Sequence, residues 1–176
     1  WSASLIVPVN TTTTTTGTLQ LKVKDNGGRE GVVDLVIPDR TLIIDPVLSR
    51  VGTTISFTGS GYPANNTKSG AETSPSVSIR YIVGSTTNTV ATLTPDASGN
   101  ISGTFKVPLG ATIPSTNSVR AVYTIPGTST DITTSTVHDV PEASIVIEPN
   151  SGPPGTTITV TADGVKTFST VSLLKL

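Results

Sequence analysis

Residues 38–61 read PDRTLIIDPVLSRVGTTISFTGSG, and residues 141–164 read PEASIVIEPNSGPPGTTITVTADG. The two segments align without a gap at an offset of 103 residues, and nine of their 24 positions are identical. The identities include two prolines and two glycines, which a shared abundance of threonine would not keep in register. Repetition at a fixed spacing indicates a chain built from repeated structural units. A spacing of 103 residues matches the roughly 100 residues of an immunoglobulin-type β-sandwich.

Each copy of the repeat predicts two strands and the turn between them. In the first copy the apolar residues 42–44 form a strand, and Asp45-Pro46 ends it because proline lacks the amide hydrogen that a strand needs. Gly52 lies at the turn, and the β-branched run 53–58 forms the second strand. The second copy has the same features 103 residues later, and Pro38 and Pro141 precede the copies at the junctions between units.

Period-two alternation of apolar and polar residues extends well beyond the repeat. Alternation of this kind predicts strands with one buried face, and the glycine-, asparagine- and aspartate-rich segments between the sets predict turns. The apolar members are Leu19, Leu21 and Val23; Ile55 and Phe57; Val77, Ile79, Tyr81 and Val83; Ile101, Phe105 and Val107; and Val119, Ala121, Tyr123 and Ile125. We therefore predict an all-β fold of tandem immunoglobulin-like antiparallel β-sandwiches, with those residues in the core.

The position of the repeat divides the chain into three parts. We predict that residues 40–141 form a complete sandwich, that residues 1–39 are the C-terminal half of a preceding unit, and that residues 142–176 are the N-terminal half of a following one. Residues 17–23 are similar in character to residues 99–105, and residues 33–38 to residues 121–126. In the last part, residues 170–176 predict a further apolar strand. Half-sandwiches expose apolar faces, so we expect each half to be completed by the other, by neighbouring chains, or by residues beyond this sequence.

The composition argues against a protein that binds nucleic acid or inserts into a membrane. Threonine occupies 33 of 176 positions, whereas charged residues make up 13% of the chain, about half the usual share. The net charge of −1 provides neither the basic surface that binds nucleic acid nor one that binds a membrane. The sequence contains no stretch of about 18 apolar residues, the length that would predict a membrane-spanning segment. Cysteine is absent, so the chain has no disulfides.

Residues 147–161, IEPNSGPPGTTITVT, and residues 52–62, GTTISFTGSGY, carry a resemblance to a known family. They resemble the opening of IPT/TIG-like and related immunoglobulin-like repeats of microbial surface proteins. Residues 162–165 depart from that pattern, which has a Gly-Ser-Gly-aromatic run at this point. The resemblance implies an extracellular structural protein, a repeat-built subunit of an S-layer or filament at the cell surface. Adhesins and accessory stalks of secreted enzymes contain similar repeats, and both remain alternatives.

Residues that commonly perform chemistry are few. His138 is the only histidine in the sequence. Its neighbour Asp139 points to the opposite face of a strand, so it could not orient the imidazole as the acid of a catalytic triad does. We therefore predict a solvated histidine at a junction and no catalytic activity. Acidic residues cluster near both junctions, which allows a calcium hypothesis. Calcium needs six to eight oxygen ligands, so we favour solvated acids and expect no cofactor. These acids are Asp34, Asp39, Asp45, Asp139, Glu142 and Glu148.

Three N-glycosylation sequons begin at Asn10, Asn65 and Asn100, and they make the chain a possible glycoprotein in a host that glycosylates. The segment from Gly61 to Ser76 is long for a sandwich loop, and it is where an adhesin would contact its ligand. For the structural alternative, the expected partners are neighbouring copies or further repeats of the same protein.

Overall fold

The structure is a computed structural model that describes residues 2–8, 19–65 and 74–164. The described residues form strands, turns and loops and no helix, which confirms the prediction of an all-β fold. None of them belongs to a helix long and apolar enough to cross a membrane. The strands are β1 (Leu19–Lys24), β2 (Glu30–Leu35), β3 (Ile43–Asp45), β4 (Thr54–Gly59), β5 (Val77–Val83), β6 (Thr86–Leu93), β7 (Ile101–Lys106), β8 (Ser115–Thr124), β9 (Asp131–Val140), β10 (Ser144–Glu148) and β11 (Thr159–Asp163).

Seven of these strands form two antiparallel sheets with a common core. One sheet has the order β3-β4-β7, and the other has the order β6-β5-β8-β9. Apolar side chains from both sheets form one buried cluster. Phe105 on β7 contacts Tyr81 on β5 with ring centroids 6.1 Å apart, so the aromatic packing crosses from one sheet to the other. This part of the chain is therefore sandwich-like.

The core contains most of the residues that the alternation predicts, but not Leu19, Leu21 and Val23 of β1, which are 37–42% exposed. In the three-stranded sheet Ile55, Phe57 and Phe105 point inward, and in the four-stranded sheet Ile79, Tyr81 and Tyr123 do so. Each of these six is at most 4% exposed. The burial pattern of β4 alternates strictly between exposed and buried residues, as expected for a strand with one face on a core.

The two copies of the repeat form strand pairs with the same register. In the first copy Ile44 pairs with Phe57 across β3 and β4, and in the second Ile147 pairs with Val160 across β10 and β11. Each member of the second pair lies 103 residues after its counterpart. The turn glycines also agree, because φ is +81° at Gly52 and +94° at Gly155. The repeat in the sequence is thus a repeat in the backbone.

The β1–β2 hairpin corrects the predicted correspondence of the first 39 residues. The likeness of residues 17–23 to 99–105 and of 33–38 to 121–126 predicts equivalents of β7 and β8, which lie in different sheets. Instead β1 and β2 pair directly with each other, as β8 and β9 do, and β2 precedes Pro38 much as β9 precedes Pro141. In their direct pairing and their position before the junction proline, they resemble the last two strands of the sandwich-like part. Residues 9–18 and the predicted strand at residues 170–176 lie outside the described residues.

Two turn glycines with left-handed backbone lead to a stability prediction. Gly99 has φ of +76°, and a β-carbon there would collide with the carbonyl oxygen of Tyr62. Gly84 has φ of +57°, but a β-carbon there would meet no atom within 4 Å. We expect Gly99→Ala to lower the free energy of unfolding by about 3 kcal/mol and Gly84→Ala by about 1 kcal/mol. Urea unfolding of both variants measures this, and equal losses would contradict the collision at Gly99.

Candidate interaction surfaces

The β10–β11 pair carries an apolar face that no described residue covers. We call Ile145, Ile147, Ile158 and Val160 the C-terminal face. Their counterparts in the first copy of the repeat, Leu42, Ile44, Ile55 and Phe57, belong to the buried core. The exposed fractions are 67%, 46%, 46% and 41% for the C-terminal face, against 7%, 3%, 0% and 2% for those counterparts. The same side-chain pattern on the same backbone is therefore buried in one copy and exposed in the other.

The difference arises from the neighbouring strands. β4 lies between β3 and β7, and its inner face packs against the four-stranded sheet. β11 pairs with β10 alone, and the pair contacts no other described strand. The C-terminal face thus lacks both a strand on the free edge of β11 and a facing sheet within the described part of the chain.

The β1–β2 hairpin, like the β10–β11 pair, has one apolar side. Its apolar side, which we call the N-terminal face, consists of Leu19, Leu21, Val23, Val33 and Leu35. The register places Leu19 opposite Leu35 and Leu21 opposite Val33, so these side chains share one side of the hairpin. The other side carries the ion pair between Lys22 and Glu30, with 2.6 Å between Nζ and Oε2. Where the structure describes the chain, this hairpin contacts no other strand.

Arg50 connects the sandwich-like part to the second copy of the repeat. Its guanidinium lies 2.7 Å from a carboxylate oxygen of Asp163, and it donates a weak hydrogen bond of 3.4 Å to the carbonyl oxygen of Glu142. Arg50 is in the turn of the first copy, and both partners belong to the second. Because Asp163 is largely exposed, this pair contributes little stability, but it constrains how the β10–β11 pair leaves the junction.

His138 lies in a different environment from the one predicted. The sequence predicts a solvated histidine, but the side chain is 0% exposed. Its Nε2 atom is 3.0 Å from the hydroxyl of Ser49, and its Nδ1 atom is 2.8 Å from the hydroxyl of Tyr81. A neutral imidazole donates from one nitrogen and accepts at the other, so both polar atoms are satisfied. The prediction is wrong because contacts from two distant parts of the chain enclose the end of β9.

The neighbouring residue has the predicted orientation. Asp139 accepts a hydrogen bond from the hydroxyl of Thr116 and does not contact the ring of His138. Its backbone pairs with the segment that follows β3, since the amide of Asp139 donates to the carbonyl of Val47 at 2.8 Å and its carbonyl accepts from the amide of Ser49 at 3.0 Å. The isolated bridge between Leu48 and Asp139 is parallel. The first and last strands of the sandwich-like part are thus joined at this point.

The buried histidine predicts a dependence of stability on pH. Burial lowers the pKa of His138, whereas Asp139 opposes this shift weakly. The unfolded chain therefore binds this proton more readily, and stability is present above an unfolded pKa of about 6.5 and is lost as pH falls below it. We expect the free energy of unfolding to fall by up to about 1.4 kcal/mol per pH unit below pH 6.5. Urea unfolding at pH 7.5 and pH 5.5 tests this, and a decrease that persists in His138→Gln would assign it to other groups.

The asparagines of two of the three sequons, Asn65 and Asn100, are among the described residues, and both are exposed. Asn100 follows the turn between β6 and β7, where its side-chain amide donates to Asp96 at 3.2 Å. Asn65 accepts a hydrogen bond from the amide of Ser74 at 3.1 Å. Asn10 lies outside the described residues, as does the middle of the loop between Gly61 and Ser76.

The junction acids do not assemble into a cluster. In residues 2–8, 19–65 and 74–164, no group of three or more His, Cys, Asp and Glu side chains is close enough to hold a metal ion. A shallow groove opens beside the edge strands β3 and β6, and its rim includes Thr41, Ser60, Thr94 and Asp96. The carboxylate of Asp96 accepts backbone hydrogen bonds from Ser98 and Asn100 within its own turn, which lower its pKa. That carboxylate therefore stabilises the turn between β6 and β7.

Comparison with protein-family models finds no matching family, and comparison with curated proteins finds no similar sequence.

Proposed function

We propose that the chain is part of a tandem array of immunoglobulin-like β-sandwiches with a structural, non-catalytic role at the outer surface of a cell. The observation that carries this proposal is the exposed C-terminal face. Ile147 on β10 and Ile158, which directly precedes β11, lie 103 residues after the buried Ile44 and Ile55. β10 pairs with β11 in the register in which β3 pairs with β4. A strand pair that reproduces the start of a sandwich, with no further core around it among residues 2–8, 19–65 and 74–164, fits the start of a further unit.

The arrangement of the central strands supports the same proposal. Seven antiparallel strands divided between a three-stranded and a four-stranded sheet fit sandwiches of the immunoglobulin type. The β1–β2 hairpin matches the last two strands of such a unit, and the β10–β11 pair matches the first two. One complete unit between parts of two others is the organisation of an array in which each unit contacts mainly its neighbours.

The outward surface of the sheets supports a location outside the cell. The edge strands β6 and β9 present hydroxyl-bearing side chains in place of charged ones, so salt does not screen interactions made by this surface. The exposed members include Thr86, Thr87, Thr89, Thr92, Thr133 and Ser135. Such a surface suits a coat whose neighbouring subunits pack closely without electrostatic repulsion.

The proposal is tested by imaging the purified 176-residue chain by electron microscopy over a range of concentrations. We expect ordered fibres or sheets, and antibodies against the chain should label intact cells of the source organism. A chain that remains monomeric at every concentration, together with labelling restricted to the cell interior, would overturn the proposal.

A further inference from the structure

The N-terminal and C-terminal faces come from complementary parts of one kind of unit. In the sandwich-like part, the strands equivalent to β10 and β11 are β3 and β4, and the strands equivalent to β1 and β2 are β8 and β9. These two strand pairs lie in opposite sheets, and their inner side chains meet in one core. Each exposed face is thus of the kind that covers the other.

The sandwich-like part also shows how the two strand pairs join. The segment after β3 runs beside the end of β9, where Leu48 and Asp139 form a parallel bridge. Residue 151 lies 103 positions after Leu48, and residue 36 lies 103 positions before Asp139. The equivalent contact therefore places Ser151 beside Val36, and Val36 is 66% exposed.

We propose that the N-terminal face of a second copy of this chain docks on the C-terminal face, in a head-to-tail contact that places Ser151 of one copy beside Val36 of the other. Within one chain the β1–β2 hairpin contacts neither β10 nor β11, where these strands are described. Each copy carries one face of each kind. The contact is therefore heterologous and joins more than two copies into a filament or a ring, unlike the isologous contact of a symmetric dimer. This inference rests on the proposed function and specifies its partner and interface.

Blocking each face separately tests the head-to-tail arrangement. The first variant carries Ile147→Asp and Ile158→Asp, and the second carries Leu21→Asp and Val33→Asp. Sedimentation velocity should show the unmodified chain growing beyond a dimer with concentration, each variant alone as a monomer, and an equimolar mixture stopping at a dimer. The mixture keeps one intact face of each kind, which permits a single contact. Matched controls are Val146→Asp and Val32→Asp, which place the charge on the opposite sides of the same strand pairs and should assemble normally.

A disulfide cross-link tests whether Ser151 of one copy lies beside Val36 of the other. Because the chain has no cysteine, only the introduced cysteines can react. Residues in a parallel bridge are close enough for a disulfide to form. Mixing Ser151→Cys with Val36→Cys under mild oxidation should give a disulfide-linked heterodimer as the main product. Pairing Val146→Cys with Val36→Cys should give less than a tenth of that yield. Equal yields from the two pairs would contradict the predicted register.

The outcomes separate the inference from the proposed function. If the blocked variants assemble as well as the unmodified chain, the head-to-tail contact is wrong, but the proposed role in an assembly stands. If the unmodified chain stays monomeric and the amides of β10 and β11 are protected from hydrogen exchange, another segment of the same chain covers the C-terminal face and the second-copy contact is wrong. A monomer with an unprotected face at every concentration overturns the head-to-tail contact, and it overturns the proposed function as well if antibodies label only the cell interior.

Discussion

Replacing Ile55 by alanine should lower the free energy of unfolding by about 2–5 kcal/mol, because the side chain is fully buried and its removal leaves a cavity. The equivalent substitution in the second copy, Ile158→Ala, should change it by no more than about 0.5 kcal/mol in dilute solution. Both residues occupy the same position of the same repeat, so the substitutions are chemically identical and differ only in what surrounds the side chain. Urea unfolding followed by circular dichroism measures both values.

The effect of the same positions on assembly at higher protein concentration provides a second comparison. Under conditions that favour self-association, Ile158→Ala should weaken assembly. The truncation Ile55→Val should lower the free energy of unfolding by about 1 kcal/mol and leave assembly intact. Similar losses of stability for Ile55→Ala and Ile158→Ala in the dilute monomer would show that the C-terminal face is already buried.

Replacing Phe105 by alanine should lower the free energy of unfolding by about 3–5 kcal/mol. Its ring lies 6.2 Å from that of Phe57 in its own sheet and 6.1 Å from that of Tyr81 in the facing sheet, so the substitution removes packing within and between the sheets. A loss of this size is a large fraction of the stability of a domain of about 100 residues. Thermal unfolding should shift downward by more than 10 °C.

Two controls identify the cause. Thr104→Ala changes the adjacent, outward-facing residue of β7 and should alter stability by less than about 0.5 kcal/mol. Phe105→Leu keeps most of the apolar volume and should cost roughly 1 kcal/mol. If Phe105→Ala cost no more than Phe105→Leu, the two sheets would not share a tightly packed core.

The sequence predicts the parts of this fold that depend on local pattern. The alternation around Ile55, Tyr81 and Tyr123 identifies the core because a strand with one buried face requires period two. The repeat at an offset of 103 identifies β10 and β11 even though their apolar face is exposed. Pattern alone is less informative for β6 and β9, whose runs of threonine have little hydrophobic contrast and whose position at sheet edges depends on pairing with β5 and β8.

The errors have a common origin in long-range contacts. The burial of His138 depends on Ser49, 89 residues away, and on Tyr81, 57 residues away, and no local signal indicates either contact. The pairing of β1 with β2 contradicts the correspondence based on residue character, because apolar alternation is similar in all strands. The turn sequence at residues 25–28 does predict a hairpin, and the pairing of β1 with β2 confirms that prediction.

Hydrogen exchange of β4 (Thr54–Gly59) and of the equivalent β11 (Thr159–Asp163) tests the central claim most directly. β4 lies between two other strands, so its amides should exchange slowly at every concentration. The β11 amides that bond to β10 should exchange rapidly in dilute solution and roughly a hundredfold more slowly once the chain assembles. Slow exchange of those amides in the dilute monomer, or rapid exchange in the assembled state, would contradict the view that this strand pair begins a unit completed by another chain.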